Sequence, residues 1–515
     1  MKELIFLGCC ALLLGCNQKP VPGTQRQLLA GELPDPSIIE VNGTYYVTGS
    51  SNDWGPFFPI YKSEDLKTWT FVNYTFMERP SWTMSSYWAP ELFYHEGTFY
   101  NYYTARSKSG TSAIGVAVSE DPKNGFIDKG MLLEWGDEAI DAFVHEEDGR
   151  LYLTWKAYGL TRDKPIQILG ARLSADGLKV EGEAFEVVTA EADSWERGGI
   201  EGQCIVERNG FLYLIYSGNA CCGKNCDYQV GVARSKSIKG PWEKFEGNPI
   251  LVSNANWKCP GHGTAVESDN KWYYVYHGYS TKGFPYMGRS SLISELKWDD
   301  DTAWPFFDID QGAVGEALKY DIHDQFDSNM LGRWWLYNVP NNSSHHAKTT
   351  DGKLLLTDVP EDGGKQIGSM IGIAPDYADF TVTTLLNSEN DAFKGLLFYV
   401  TGDNSLGLGL KGNELILWKI DDGVYTELNR LRLENPGKLK LKADVEEGHQ
   451  ITFQYSHDTG KSWSKITSKQ DSSEVIEGDN LAWWSWGQRV GLFVNADSVS
   501  GDNTALFEDF HLEYR

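Results

Sequence analysis

One short pattern recurs five times along the chain. The copies are Asn42-Gly43-Thr44-Tyr45-Tyr46, Glu96-Gly97-Thr98-Phe99-Tyr100, Asp148-Gly149-Arg150-Leu151-Tyr152, Asn209-Gly210-Phe211-Leu212-Tyr213 and Asp269-Asn270-Lys271-Trp272-Tyr273. Each is a turn dipeptide running into an aromatic-rich strand, the signature of a tight hairpin. The spacing of roughly 50–60 residues is that of propeller blades and exceeds that of helical solenoids. A second short strand precedes each turn, and these strands carry Asp35, Glu91, Asp141, Glu201 and His262 in order. In a propeller the first strand of each blade lines the channel. Four carboxylates and one imidazole are therefore expected at equivalent points around one axis. Like charges so confined raise one another's pKa, so such a ring needs a reason.

Between the hairpins the segments Lys62-Ser63-Glu64-Asp65-Leu66-Lys67-Thr68-Trp69, Ser119-Glu120-Asp121-Pro122 and Arg234-Ser235-Lys236-Ser237 echo one another as outer strands and turns. Helical periodicity is nearly absent. The reading is an all-β chain: a five-bladed propeller over residues 28–320, then a β-sandwich of jelly-roll type over 321–515. In the second region strand-like runs such as Lys353-Leu354-Leu355-Leu356-Thr357 and Val490-Gly491-Leu492-Phe493-Val494 recur, with turns about every ten residues and no longer period. Ser456-His457-Asp458-Thr459-Gly460 fits a tight hairpin turn within it.

A net charge of −26 argues against a nucleic-acid or anionic-membrane partner. The 19 Trp, 26 Tyr and 23 Phe exceed what a single core needs. Most must pack between blades, but exposed flat rings also suit the apolar face of a sugar. Residues 1–16 read as a leader: Lys2, then an apolar run too short to anchor in a bilayer, ending Leu13-Leu14-Gly15-Cys16. That ending resembles a bacterial lipoprotein cleavage box, with Cys16 as the lipidated residue and 17–27 as a tether. The expected location is the bacterial cell envelope, by a lipid anchor only, at the outer membrane. Past Cys16 five cysteines remain: Cys204, Cys221, Cys222, Cys226 and Cys259. An odd count leaves one thiol unpaired within the chain. Cys221 or Cys222 with Cys226 would close a tight loop. Adjacent cysteines leave the pairing open, and the absence of a nearby histidine argues against zinc.

Asp35 sits in Leu33-Pro34-Asp35-Pro36, where prolines on both sides stiffen the backbone. Asp141 sits in apolar Ala139-Ile140-Asp141-Ala142-Phe143, and Glu201 in Gly199-Ile200-Glu201-Gly202, where glycines permit a close ligand. An acid between apolar neighbours is either desolvated or paired.

These segments, with Trp88-Ala89-Pro90-Glu91 and Pro260-Gly261-His262-Gly263, resemble in order the motifs of family 43 glycoside hydrolases. The resemblance covers residues 30–310. The C-terminal region is similar to the concanavalin-type sandwich often fused to that domain. The resemblance implies an inverting hydrolase of plant cell-wall oligo- or polysaccharides, an α-L-arabinofuranosidase or β-xylosidase. It implies Asp35 as general base, Glu201 as general acid, and Asp141 as the third carboxylate that orients the acid and keeps its pKa high. Trp88, Arg289 and Glu91 would contact substrate. No cofactor is required by the reaction; His262 matches a histidine that in some members helps hold a hydrated calcium. The cysteine insert resembles a loop of arabinan-active members. The competing readings are a fructan- or galactan-active enzyme on the same scaffold and a non-catalytic glycan-binding surface lipoprotein.

Overall fold

The computed structural model describes residues 25–161, 163–309, 319–339, 346–358, 367–388, 390–496 and 503–515. The leader, Cys16 and most of the tether lie outside them. Five antiparallel sheets of the first region succeed one another in chain order, each laid down from inner to outer strand. Blade 1 runs Ser37–Val41, Thr44–Thr48, Phe57–Ser63, Thr70–Phe76, and blades 2 to 4 repeat this plan, with inner strands Thr83–His95, Ala139–Glu147 and Ile200–Arg208. Blade 5 departs from it. Its inner strands are Trp257–Ser268, Lys271–Ser280 and Ser290–Trp298, but the strand beyond them is Arg26–Glu32, from the start of the described chain. The first strand thus closes the ring, and it begins two residues inside the stretch read as a tether.

The repeat is explained by packing. A four-stranded sheet buries neither face alone, so each blade must share a core with its neighbours. One apolar cluster fills each of the five gaps. Phe58, Leu92 and Tyr103 lie between blades 1 and 2, and Tyr102, Leu153 and Trp155 between 2 and 3. Ile168 and Leu214 join blades 3 and 4, while Val232, Tyr274 and Leu292 join 4 and 5. Leu28, Val47 and Val275 join blade 5 back to blade 1. The turn residues Asn42, Glu96, Asp148, Asn209, Asp269 and Asn270 all have positive φ, as tight hairpins demand.

The C-terminal region is a sandwich of a nine-stranded and an eight-stranded sheet around Leu396, Phe398, Leu441, Phe453 and Leu492. The edge of the eight-stranded sheet belongs to the propeller: Trp54–Gly55, from blade 1, pairs with Leu336–Asn338. Trp54 is 1% exposed and packs with Tyr399, Trp418 and Phe493 of the sandwich. Buried polar links add to this seam. Arg489 meets Glu32 at 2.7 Å, and the Gly487 N–H donates to the same carboxylate at 2.9 Å. The two domains are therefore one folded unit rather than beads on a linker.

Candidate active site

The inner strands of blades 2 to 5 carry a β-bulge near the same end, and in blade 1 Asp35 stands just ahead of the regularly paired strand Ser37–Val41. At each of these five points one residue takes a left-handed backbone conformation: Asp35 (φ 51°), Ala89 (42°), Asp141 (58°), Gly202 (60°) and His262 (43°). Such a conformation costs a non-glycine residue roughly 1–3 kcal/mol and concentrates at functional sites. A bulge re-aims the side chains around it. The five polar residues are therefore not equivalent, contrary to the sequence expectation. Asp35, Asp141 and His262 themselves take the left-handed conformation, whereas Glu201 precedes the left-handed residue by one position and Glu91 follows it by two. Gly202 is needed where it stands, because a Cβ there would lie 2.6 Å from the His262 ring.

Three of the residues meet through His262. Its Nδ1 lies 3.5 Å from Asp35 Oδ1 and 3.6 Å from Asp141 Oδ2. Asp35 is held from several sides: Arg289 donates to Oδ1 at 2.7 Å, Ser50 to Oδ2 at 2.6 Å, and His277 Nδ1 is 3.1 Å from Oδ1. Burial works to raise the Asp35 pKa, but Arg289, His262 and His277 outweigh it and hold the carboxyl well below the usual range. Burial, then the Arg289 charge, takes His277 down to about 4, so its ring is neutral.

The opposite side differs. Asp141 Oδ2 accepts from the Gly202 N–H at 3.0 Å. Burial pushes Asp141 up to about 7; His262 and Lys156 oppose the rise, while the charges of Glu201 and Asp35 add to it. Glu201 accepts from Lys156 Nζ at 3.0 Å and from Tyr228 OH at 3.1 Å. Burial raises Glu201 too, but Lys156, then His262 and Tyr228, bring it below the ordinary value. In the free protein the shared proton thus favours Asp141 over Glu201. The sequence reading had Asp141 keeping Glu201 protonated and had no place for Lys156.

Glu91 lies in the next layer of the channel. It accepts from Ser37 Oγ at 2.7 Å, and burial pushes it up to about 8. No contact joins it to Asp35, Asp141 or Glu201 among the described residues. Trp88 is half-buried and meets Trp484 of the sandwich edge-on, with ring centroids 6.2 Å apart. Trp484 is 48% exposed and lies against Gly223 of the cysteine loop. The neighbouring Ser485 accepts from Arg289 Nη2 through its carbonyl at 3.2 Å. The second domain therefore holds the arginine that holds Asp35.

That cysteine loop corrects one expectation. Cys221 pairs with Cys222, and Cys226 with Cys259, leaving Cys204 free and buried. Cys226 reaches the inner strand of blade 5 instead of closing a short loop, which pins the segment leading to Tyr228. For a channel cation, His262 is the imidazole that lies beside both Asp35 and Asp141, while His277 lies beside Asp35. Among the described residues the side chains that converge as a ligand group are His449, Glu477 and Asp479, in the C-terminal domain.

Residues 24–305 match the family model described as "Glycosyl hydrolases family 43". The chain belongs to that family. Residues 323–513 match the "Beta xylosidase C-terminal Concanavalin A-like domain". Among curated proteins, the chain is 28% identical over 323 residues to a xylan 1,3-beta-xylosidase of Vibrio sp, covering 57% of this chain and 59% of that one. It is 25% identical over 363 residues to the non-reducing end alpha-L-arabinofuranosidase BoGH43B of Bacteroides ovatus, covering 65% and 64%. The chain thus spans about three-fifths of the length of these relatives. A solved xylan beta-1,4-xylosidase from Bacillus halodurans has the same fold, with a TM-score of 0.81 at 21% identity, over 95% of this chain and 100% of that one.

For this family 43 chain, sequence reasoning missed Ser50, Lys156, Tyr228, His277 and the 483–489 loop. Two of these left a trace. Lys156 sits between the apolar Trp155 and Ala157 in the strand Arg150–Ala157, and Trp483-Trp484-Ser485-Trp486-Gly487 is the densest tryptophan run of the second region.

Proposed function

We propose that this chain is an inverting glycosidase that removes arabinofuranosyl or xylosyl units from plant cell-wall glycans. Asp35 is the base. It stays ionised, lies beside a buried arginine, and can take a proton from the attacking water. Glu201 is the acid that protonates the leaving oxygen, and Asp141 is its partner in holding that proton. An inverting pair stands about 6.5–9.5 Å apart so that water fits on one side of the sugar. Carboxyl groups on different blades of a small propeller suit that gap.

The observation that carries the reading is the opposed electrostatics of the two sides: Asp35 held ionised by Arg289, and Asp141 and Glu201 sharing a raised and a lowered pKa around one proton. Environments that push neighbouring acids apart mark acid and base. The relatives' printed activities supply the choice of pentoses. Trp88 and Trp484 would wall the sugar, and Arg289 would reach its hydroxyls. A calcium ion bound through His262 would add positive charge beside Asp35 and Asp141, with water completing its sphere.

The test is activity on a panel of aryl pentosides, arabinan and xylan, with the first product anomer read by proton NMR. Inversion on a pentoside supports the reading. Retention, or activity on fructans alone, overturns it, and binding without turnover favours a glycan-binding role. Lipid attachment at Cys16 to the bacterial envelope belongs to the same proposal. Wild type should incorporate labelled palmitate, and Cys16→Ser should not.

A further inference from the structure

Lys156 is a charged group that the hydrolysis does not call for. It lies on the second strand of blade 3, opposite Ile140, with an 11% exposed side chain. Two carboxylates compete for its ammonium: Glu201 at 3.0 Å and Glu138 at 3.2 Å. Glu138 stands just before the inner strand of the same blade and is 9% exposed at its side chain. Its Oε2 is buried with no hydrogen-bond partner, so Glu138 has room for a second bond from the ammonium. A buried cation beside a residue that must donate a proton looks counterproductive, since it favours the ionised acid. A second carboxylate on its far side changes that balance.

We propose that Lys156 is a positioning residue that aims the Glu201 carboxyl and sets when it gives up its proton, with Glu138 as the counterweight. This rests on the reading of Glu201 as the acid. While Lys156 leans on Glu201 at 3.0 Å, it holds that carboxyl as an anion. A leaving oxygen arriving at Glu201 competes with Lys156 for the same carboxyl, and Glu138 accepts the displaced ammonium. Glu201 can then hold the proton it will donate. The charged and titratable groups that face Glu201 are Lys156 from blade 3, Asp141 on the inner strand of that blade, His262 from blade 5 and Tyr228 from its own blade. Those facing Lys156 are Glu201, Glu138 and Asp141.

The experiment is kcat/KM against pH on one aryl pentoside with a poor leaving group. The basic limb reports loss of the acid's proton. Glu138→Gln gives Lys156 wholly to Glu201, so the limb should move to lower pH by about one unit. Lys156→Met should move it to higher pH by about one unit or more. That substitution strands Glu138, so the double variant Lys156→Met/Glu138→Gln serves as a second probe and should also move upward. Lys156→Arg, which keeps the charge, should leave the basic limb in place while the bulkier guanidinium lowers the rate. Opposite shifts support the proposal, because a merely structural role would scale activity without moving the limbs apart. Unmoved limbs, or shifts in one direction for all variants, overturn it. Glu201→Gln on leaving groups of graded pKa is run alongside. A flat loss there overturns the acid reading itself, whereas a graded loss with unmoved limbs overturns only the role of Lys156.

Discussion

The two walls of the channel hold acids in opposite ways. On the wall of blades 5 and 1, Asp35 meets a guanidinium, a hydroxyl and a neutral imidazole, and is fixed as an anion. On the wall of blades 3 and 4, Asp141 and Glu201 share a lysine with Glu138, and burial leaves a proton among them near neutral pH. Both walls present their acids at or beside a residue in the left-handed conformation. The difference lies in the cations around it: Arg289 is permanently charged and tied to a backbone carbonyl, whereas Lys156 has two partners to choose between. One wall is suited to accept a proton and the other to lend one.

The largest way to break the contrast is to remove Arg289. Arg289→Met should cost about 3–5 kcal/mol of stability, the usual penalty for orphaning a buried charge. The sign follows from the lowered Asp35 value. The pair's stabilisation is in full force above the ordinary aspartate pKa and fades as pH falls below it. Thermal melts should therefore show the gap between wild type and variant closing in acid. In kcat/KM the acid limb should move to higher pH, because Asp35 loses the cation that keeps it ionised. An acid limb that stays put would detach Arg289 from the base.

Asp141→Asn acts on the other wall. It removes the carboxyl that holds the shared proton and leaves Glu201, whose own pKa Lys156 lowers, to hold it alone, so the basic limb should move to lower pH by about one unit or more. Activity scaled down with no movement would leave Asp141 as a residue that binds substrate. Gly487→Ala probes the link between the walls and the second domain. A Cβ there would lie 2.5 Å from the Met287 carbonyl carbon, so the loop carrying Ser485 must shift off Arg289. The expected result is a several-fold rise in KM with a smaller change in kcat, read from initial rates. Glu91→Gln should have the smallest effect. Glu91 is neutral below about pH 8, and an amide resembles a neutral acid. Rates within about twofold of wild type at pH 6 are expected, and a large KM change would place Glu91 in contact with substrate.

Much of this was legible in the sequence. Turn dipeptides are local chemistry, so the blade period showed directly in Gly43, Gly97, Gly149 and Gly210. Asp35, Asp141 and Glu201 were visible as acids in apolar or glycine-rich settings. The offsets of Glu201 and Glu91 were not, because a bulge has no sequence code when Ala89 fills it in one blade and Gly202 in another. Lys156 and Tyr228 were hidden because their role depends on which residue lies across a strand or after a disulfide. The first two residues of the closing strand, Arg26 and Gln27, read as tether because their partners lie more than 250 residues away. The 483–489 loop showed its tryptophans but not its target, since contact between domains leaves no periodic mark.

The division of labour between the walls is tested most directly by kcat/KM for Asp35→Asn and Glu201→Gln on one series of aryl pentosides of graded leaving-group pKa. Every substrate needs the attacking water, so Asp35→Asn should lose several orders of magnitude evenly across the series. Glu201→Gln should lose little on the most activated substrates and progressively more on the poorest, because only those need a proton. An even loss for Glu201→Gln, or a graded loss for Asp35→Asn, would contradict the account.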